Sequence, residues 1–111
     1  MKPIRHLTMA LAAAMLIAAE VRFQPANADE ANTIVMKNFD FAPMSLTVPA
    51  GTTVTWKNLD EEPHTVVGDA GLFRSGGLEE NESFTFKFDK PGTYKFLCSI
   101  HPKMVGTIVV K

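Results

Sequence analysis

Residues 83–98 have the sequence SFTFKFDKPGTYKFLC, and this stretch decides the fold class. In Ser83–Phe88, phenylalanines alternate with polar residues, so the aromatic side chains lie on one face of a strand. Asp89–Gly92 contains the Pro and Gly residues that are typical of a turn. Thr93–Cys98 then continues as a second run rich in strand-forming residues. The stretch therefore predicts two half-buried strands joined by a short turn, and alternation punctuated by Gly and Pro favours antiparallel strands along the chain.

Further runs of β-branched and aromatic residues lie on both sides of these two strands, again separated by Gly and Pro. They are Thr33–Met36, Ser45–Val48, Thr52–Asn58, His64–Val67 and Val105–Val110. No extended helical period interrupts them, and Gly68–Gly77 is predicted to be a loop with a short turn or strand. About seven to eight strands predict an all-β, two-sheet Greek-key sandwich. Trp56 and the phenylalanine stripe are expected to supply much of its core.

The N-terminal segment has the pattern of a secretory signal peptide. An apolar run over Leu7–Ala19 follows a positively charged start, and Ala26 and Ala28 provide the small residues of a cleavage site. A membrane-spanning helix needs about 20 apolar residues, and Glu20 ends this run early. We expect cleavage after Ala28, which leaves residues 29–111 as one exported domain, periplasmic in a bacterium and without stable membrane insertion.

Composition narrows the possible functions further. The 111 residues suffice for one domain with a hydrophobic core, since 46% are hydrophobic. The net charge of −1 leaves no basic surplus that would favour nucleic acid as a partner. After cleavage, eight basic and eleven acidic residues remain, a mildly acidic net charge of −3. The single cysteine excludes an internal disulfide, a Cys-only zinc site, a four-thiolate iron–sulfur cluster and a two-cysteine binuclear copper site.

Chemistry-bearing residues concentrate in the loop Cys98–Met104, where Cys98, His101 and Met104 are spaced three apart. Thiolate and thioether ligands select Cu(I), and imidazole accepts both copper oxidation states. His64 is the only other histidine left after cleavage. Alternation along the preceding strand directs Cys98 inward, as it does Phe96. Taken singly, the cysteine could be an inert core residue, the histidines surface residues and Met104 part of the core. A structural zinc site of the Cys-His₂ type is also chemically possible, although the methionine favours copper.

The sequence resembles the cupredoxins, specifically the amicyanin and plastocyanin group of type 1 copper proteins. The resemblance covers nearly the whole mature chain. The matching stretches are Val54–Asn58, Pro63-His64, Gly71–Gly76, Pro91–Cys98, the Cys-x₂-His-x₂-Met loop and Gly106–Val110. The loop length and the proline after its histidine resemble amicyanin more than plastocyanin.

The resemblance implies one copper per chain and a role for each ligand. Cys98 would be the thiolate donor of a blue site and His64 the buried imidazole. His101 would lie near the surface as the point of electron entry and exit, and Met104 would be the weak axial ligand. Two residues depart from the family pattern: Thr65 stands where asparagine is usual and Ile100 where proline is common. We expect the Thr65 hydroxyl to bond toward Ser99 in place of the asparagine.

Two functions remain open on this site. The first is a small soluble one-electron carrier, expected to be monomeric, between a redox protein donor and acceptor. The second is a periplasmic copper-binding protein for delivery, storage or tolerance. An enzyme is not expected, because four protein ligands leave no open position for a substrate. The acidic run Asp60–Glu62 either steers a basic partner or is an ordinary solvated loop.

Overall fold

A computed structural model describes residues 31–111, so the predicted signal peptide at residues 1–28 lies outside the described residues. The described part contains eight strands and a single turn of 3₁₀ helix at Asp69–Gly71. The strands are β1 (Thr33–Lys37), β2 (Asp40–Ala42), β3 (Ser45–Val48), β4 (Thr52–Asn58), β5 (Val67–Gly68), β6 (Ser83–Phe88), β7 (Gly92–Leu97) and β8 (Val105–Val110). No helix in this range has the length and apolar character needed to cross a membrane.

The strands form two four-stranded sheets, in the orders β2-β1-β4-β6 and β3-β8-β7-β5. The predicted all-β, two-sheet sandwich is therefore confirmed, with the eight strands at the upper end of the predicted number. The expectation of antiparallel strands was wrong for two of the six strand pairs among the described residues. Strand β1 pairs parallel with β4, and β3 pairs parallel with β8, so both sheets are mixed. These pairs join segments far apart in the chain, and alternation within one strand carries no information on its partner's direction.

Strand boundaries agree closely where alternation is regular. The predicted bounds of β3, β4, β6 and β8 match the structure residue for residue. The predicted strand His64–Val67 was wrong, because His64 makes only an isolated bridge with Leu78 and regular pairing is confined to Val67–Gly68. Strand β2 was not predicted, since three residues are too few to show a period.

The core lies between the sheets and is centred on Trp56, which is fully buried. Four phenylalanine rings surround its indole with centroids 5.4–6.3 Å away: Phe73, Phe84, Phe88 and Phe96. Phe88 is buried, and Phe84 and Phe86 are half-buried against the same cluster. The predicted use of these aromatics as core is thus confirmed.

One end of the sandwich gathers three connecting segments. Because β1 and β4 run parallel with Met36 opposite Asn58, both strands end on the same side. The turn after β1 and the segment after β4 therefore emerge together. Strand β7 brings the loop 98–104 to the same place, since the Thr65 N–H lies 3.3 Å from Cys98 Sγ. Every predicted ligand lies in these segments.

Candidate metal centre

Three of the four predicted ligands converge at this end of the sandwich. His64 Nδ1 and His101 Nδ1 are 3.2 Å apart, and Cys98 Sγ lies 3.9 Å from the first and 3.7 Å from the second. Among the described residues, these three form a group of donors that could hold one metal ion. A circle through three atoms at these separations has a radius of about 2.1 Å. Metal–imidazole and metal–thiolate bonds are about 2.0–2.3 Å long, so one ion fits at the centre of the triangle.

The donors differ in their access to solvent. His64 and Cys98 are fully buried, with 0% of their surface exposed. His101 is half-buried. The prediction that His101 lies nearer solvent than His64 is therefore confirmed, and so is the inward direction of Cys98.

The loop 98–104 is closed by its own backbone. The Cys98 N–H donates to the Met104 carbonyl at 3.1 Å, and the Met104 N–H donates to the His101 carbonyl at 2.8 Å. Met104 itself is buried, with 2% exposed, at the end of this loop. The first bond joins the two ends of the loop and the second closes its last turn, so its donors are placed with little further loss of chain entropy.

Thr65 fastens this loop to the segment that carries His64. Its hydroxyl oxygen accepts the Ser99 N–H at 2.8 Å, and the two hydroxyl oxygens are 2.9 Å apart. Its backbone N–H points at the sulfur of Cys98 at 3.3 Å. The predicted bond between Thr65 and Ser99 is confirmed, so Thr65 links the two segments that carry the predicted ligands.

The surroundings of Cys98 favour its thiolate form. Burial by itself raises the pKa of the thiol, but hydrogen bonds from the Thr65 and His101 backbones outweigh it and lower the pKa from 9.0 to about 6. A thiolate, not a thiol, is the form that binds a metal. The metal-free protein therefore already favours the form of Cys98 that binds a metal.

His64 is held from its backbone side by a bridge to Leu78. The His64 N–H donates to the Leu78 carbonyl at 3.1 Å, and the Leu78 N–H donates back at 2.7 Å. The buried Asn58 amide donates to that same Leu78 carbonyl at 2.8 Å and to the Glu62 carbonyl at 2.9 Å. Asn58 is fully buried and so fixes the path of residues 58–64 from inside.

The far edge of the His64 ring meets a carboxylate. Asp60 Oδ2 lies 2.8 Å from His64 Nε2, and the Asp60 side chain is 11% exposed. The same carboxylate accepts the N–H groups of Asn38 at 2.7 Å and Phe39 at 2.9 Å. Burial acts to raise the pKa of Asp60, but the bonds from Phe39, His64 and Asn38 prevail and lower it. Asp60 is therefore not simply one residue of a solvated acidic run.

An aromatic ring covers the two histidines. The Phe39 ring centroid lies 5.3 Å from that of His64 and 4.9 Å from that of His101, nearly perpendicular to both. Phe39 is nevertheless 43% exposed. It occupies the two-residue turn between β1 and β2, where Asn38 and Phe39 both have positive φ, at 57° and 62°. Such a turn is usually built from Asn-Gly, so a bulky ring here is unusual.

Sequence reasoning missed Asn58, Asp60 and Phe39 as contributors to the site. In the sequence, Asn58 is the last residue of a predicted strand, and Asp60 is one member of the acidic run Asp60–Glu62. The Asp60-x₃-His64 spacing was the one available signal, but it has meaning only once the chain between these residues is known to turn back. There is no signal for Phe39 in the sequence. Its position depends on the turn between β1 and β2, and the pattern did not reveal β2.

The types of donor atom indicate which metal ion suits the site. One thiolate and two imidazoles match the softness of copper, and zinc accepts the same atoms. The donors are buried, preformed at metal-binding separation and drawn from two segments that are bonded together. The residues present therefore fit a resident copper ion.

Comparison with known proteins places the chain in a family. A model of the cupredoxin-like domain matches residues 7–110. Amicyanin-alpha from Methylorubrum extorquens is 37% identical over 94% of this chain and 87% of its own length. Plastocyanin from Scenedesmus fuscus is 39% identical over 64% of this chain and 86% of its own length. The family match begins inside the predicted signal peptide, whose cleavage stays a prediction.

Solved structures agree with the sequence comparison. A purple cupredoxin from Nitrosopumilus maritimus superposes with a TM-score of 0.67 at 33% identity, covering 71% of this chain and 98% of its own. The Cu(I) form of an amicyanin variant gives a TM-score of 0.70 at 30% identity, covering 78% of this chain and 87% of its own. From the family match and these relatives together, the chain belongs to the cupredoxin-like family.

Proposed function

We propose that this protein is a mononuclear type 1 copper protein that carries single electrons between larger redox proteins. The observation that carries the proposal is the triangle of Cys98 Sγ, His64 Nδ1 and His101 Nδ1, whose size fits one ion. Similarity to amicyanin, including a structure of its Cu(I) form, supports the choice of copper. Bound copper would supply a one-electron couple between Cu(I) and Cu(II).

Four residues are assigned as ligands in this proposal. His64, Cys98 and His101 would hold the ion, and Met104 would provide a fourth donor. Burial of Met104 within the closed loop supports its assignment. Four protein donors leave no position for a substrate, which favours an electron carrier over an enzyme. The bonds that join the two ligand segments hold the donors in place, so little rearrangement accompanies a change of charge at the site.

His101 is the proposed point of electron exchange, because it is the half-buried member of the donor set. Two exposed apolar residues lie beside it: Phe39, 43% exposed, and Ile100, 48% exposed. Apolar surface around the exposed ligand allows a partner to approach closely without stripping water from charged groups. We propose a redox protein donor and a redox protein acceptor as partners, and a monomeric carrier in the periplasm after signal cleavage.

The experiment that tests the metal site is titration of the metal-free protein with Cu(II), followed by absorption spectroscopy. We expect one copper per chain and an intense visible band from charge transfer between thiolate and copper. Cys98→Ser should abolish the band, whereas Lys103→Ala, an exposed change in the same loop, should leave it intact. A colourless wild-type complex with one Cu(II) per chain would overturn the assignment.

A second measurement separates electron transfer from copper delivery. A carrier exchanges electrons rapidly and retains its metal, whereas a delivery protein releases copper to a competing chelator. We therefore expect NMR line broadening in mixtures of oxidised and reduced protein to reveal fast electron self-exchange. Slow self-exchange combined with rapid loss of copper to a chelator would favour delivery, storage or tolerance instead.

A further inference from the structure

We propose that Asp60 is a positioning residue for the copper site, which orients His64 by accepting the proton of its Nε2–H group. The proposal deepens the proposed function and rests on it. Asp60 would act through His64 alone. Its carboxylate would thereby fix which nitrogen of that ring carries the hydrogen and which is free to bind the metal.

The geometry of the His64 ring carries the argument. Its Nε2 lies 2.8 Å from Asp60 Oδ2, and its Nδ1 faces His101 Nδ1 at 3.2 Å and Cys98 Sγ at 3.9 Å. A carboxylate accepts hydrogen bonds and cannot donate them, so the hydrogen of the neutral ring lies on Nε2. The lone pair on Nδ1 is then directed toward the other two donors. A negative charge at the far edge also makes the ring a stronger ligand.

Asp60 is itself held in place, as a positioning residue must be. Its carboxylate accepts the Asn38 N–H at 2.7 Å and the Phe39 N–H at 2.9 Å. Its own backbone N–H donates to Asn58 Oδ1 at 2.8 Å. The side chain is only 11% exposed. Two bonds to the carboxylate and one from the Asp60 backbone thus fix this residue independently of its contact with His64.

The neighbouring acidic residue provides a matched control. Glu61 carries the same charge one position along the chain, but its residue is exposed. Removal of either side chain changes the net charge by the same amount near the site. If removal of the Asp60 side chain weakens copper binding and removal of the Glu61 side chain does not, the difference does not come from the negative charge of the acidic run alone.

A second control separates the direct contact from the turn. The carboxylate also supports the β1–β2 turn, which presents Phe39 to both histidines. Phe39→Gly creates Asn-Gly, the preferred sequence for a two-residue turn with positive φ at both positions. In this variant the turn does not need the Asp60 carboxylate to hold its shape, and it places no aromatic ring against the two histidines. If Asp60 acts directly on His64, its effect persists in the Phe39→Gly background.

The test measures Cu(I) affinity by competition with a chelator, on the whole exported chain. We expect Asp60→Ala to weaken binding by about 10- to 100-fold, the usual loss when a carboxylate behind a histidine ligand is removed. Asp60→Asn should recover part of the affinity, because its side-chain oxygen can still accept from Nε2–H. Glu61→Ala should change affinity by less than about threefold, as expected for an exposed charge. The loss from Asp60→Ala should be the same with Phe39→Gly present.

NMR on the wild-type protein tests the same contact without any substitution. In the diamagnetic Cu(I) protein, the His64 Nε2–H proton should be shifted downfield and protected from exchange with solvent. Three results would overturn the proposal: rapid exchange of that proton, an affinity of Asp60→Ala equal to that of Glu61→Ala, or loss of the Asp60 effect in the Phe39→Gly background. Failure of the wild-type protein to bind copper would overturn the proposed function as well.

Discussion

Two segments bring donors to the candidate metal centre, and they differ in how the chain holds them in place. The loop 98–104 supplies Cys98, His101 and the proposed ligand Met104 from seven consecutive residues, closed by two backbone bonds of its own. The segment 58–65 supplies His64 alone, and its anchors lie far away in the chain, at Leu78, Asn38 and Ser99. The first segment is specified by local spacing. The second depends on the fold around it, because its donor is held by bonds to residues far away in the chain.

The largest expected difference between the segments concerns replacement of their histidines. His101→Gly opens a half-exposed position, so added imidazole should enter and restore the visible charge-transfer band. His64→Gly leaves a gap at a residue with 0% exposure, which external imidazole cannot reach. The check is absorption of the Cu(II) forms with and without imidazole. Equal rescue of both variants would break the contrast between the two segments.

Removal of the buried Asn58 amide should cost the most folding stability. Asn58→Ala leaves the Leu78 and Glu62 carbonyls without the amide donors that reach them in the native protein. The Leu78 carbonyl keeps the His64 N–H, but the Glu62 carbonyl and the Asp60 N–H both lose their Asn58 partner. Polar groups left without partners cost about 1–3 kcal/mol each, so we expect the free energy of unfolding to fall by about 2–4 kcal/mol. Denaturant unfolding measures this, with Lys57→Ala on the same strand as control. A loss no larger than that of the control would contradict the anchoring role.

The link between the segments should have a smaller effect. Thr65→Val keeps the side chain's shape but removes the hydroxyl that accepts the Ser99 N–H. We expect a loss of about 1–2 kcal/mol in the free energy of unfolding. We also expect faster release of copper, since the two ligand segments then separate more readily. If stability and release rate both match the wild type, the hydroxyl does not join the segments.

The effect confined to the narrowest conditions is a pH dependence of folding stability, because it is seen only in the metal-free protein. Because the folded Cys98 has a pKa of about 6 and an ordinary thiol one of 9.0, the unfolded chain binds more protons between these values. The contribution of this group to stability is therefore complete above pH 9.0, and it is lost as pH falls through about 6. Unfolding at several pH values, with Cys98→Ser as control, measures it. An identical pH dependence in both proteins would show that the hydrogen bonds around Cys98 do not favour its thiolate.

The same contrast explains how much the sequence could predict. The regular alternation of Ser83–Phe88 and the turns around Thr52–Asn58 set strand bounds that the structure reproduces. Three of the predicted ligands share one loop, so spacing alone suggested them, and two of these meet His64 as predicted. The ligand assignment itself, Met104 included, remains a prediction.

The parts that escaped prediction depend on contacts between distant residues. The parallel pairing of β1 with β4 follows from how the whole chain folds, not from either strand alone. Asp60 resembled its neighbours Glu61 and Glu62 in sequence and differs from them only through its bonds to His64 and the β1–β2 turn. Likewise, His64 is placed by a single bridge to Leu78, too short to give a strand pattern.

X-ray absorption spectroscopy at the copper edge, on both the Cu(I) and Cu(II) proteins, tests the central claim most directly. That claim is that one copper lies within the triangle of Cys98, His64 and His101 and changes its surroundings little on reduction. We predict one sulfur and two nitrogen neighbours at about 2.0–2.3 Å in both forms, with only small changes between them. A first shell of nitrogen and oxygen without sulfur, or a large rearrangement on reduction, would contradict the account.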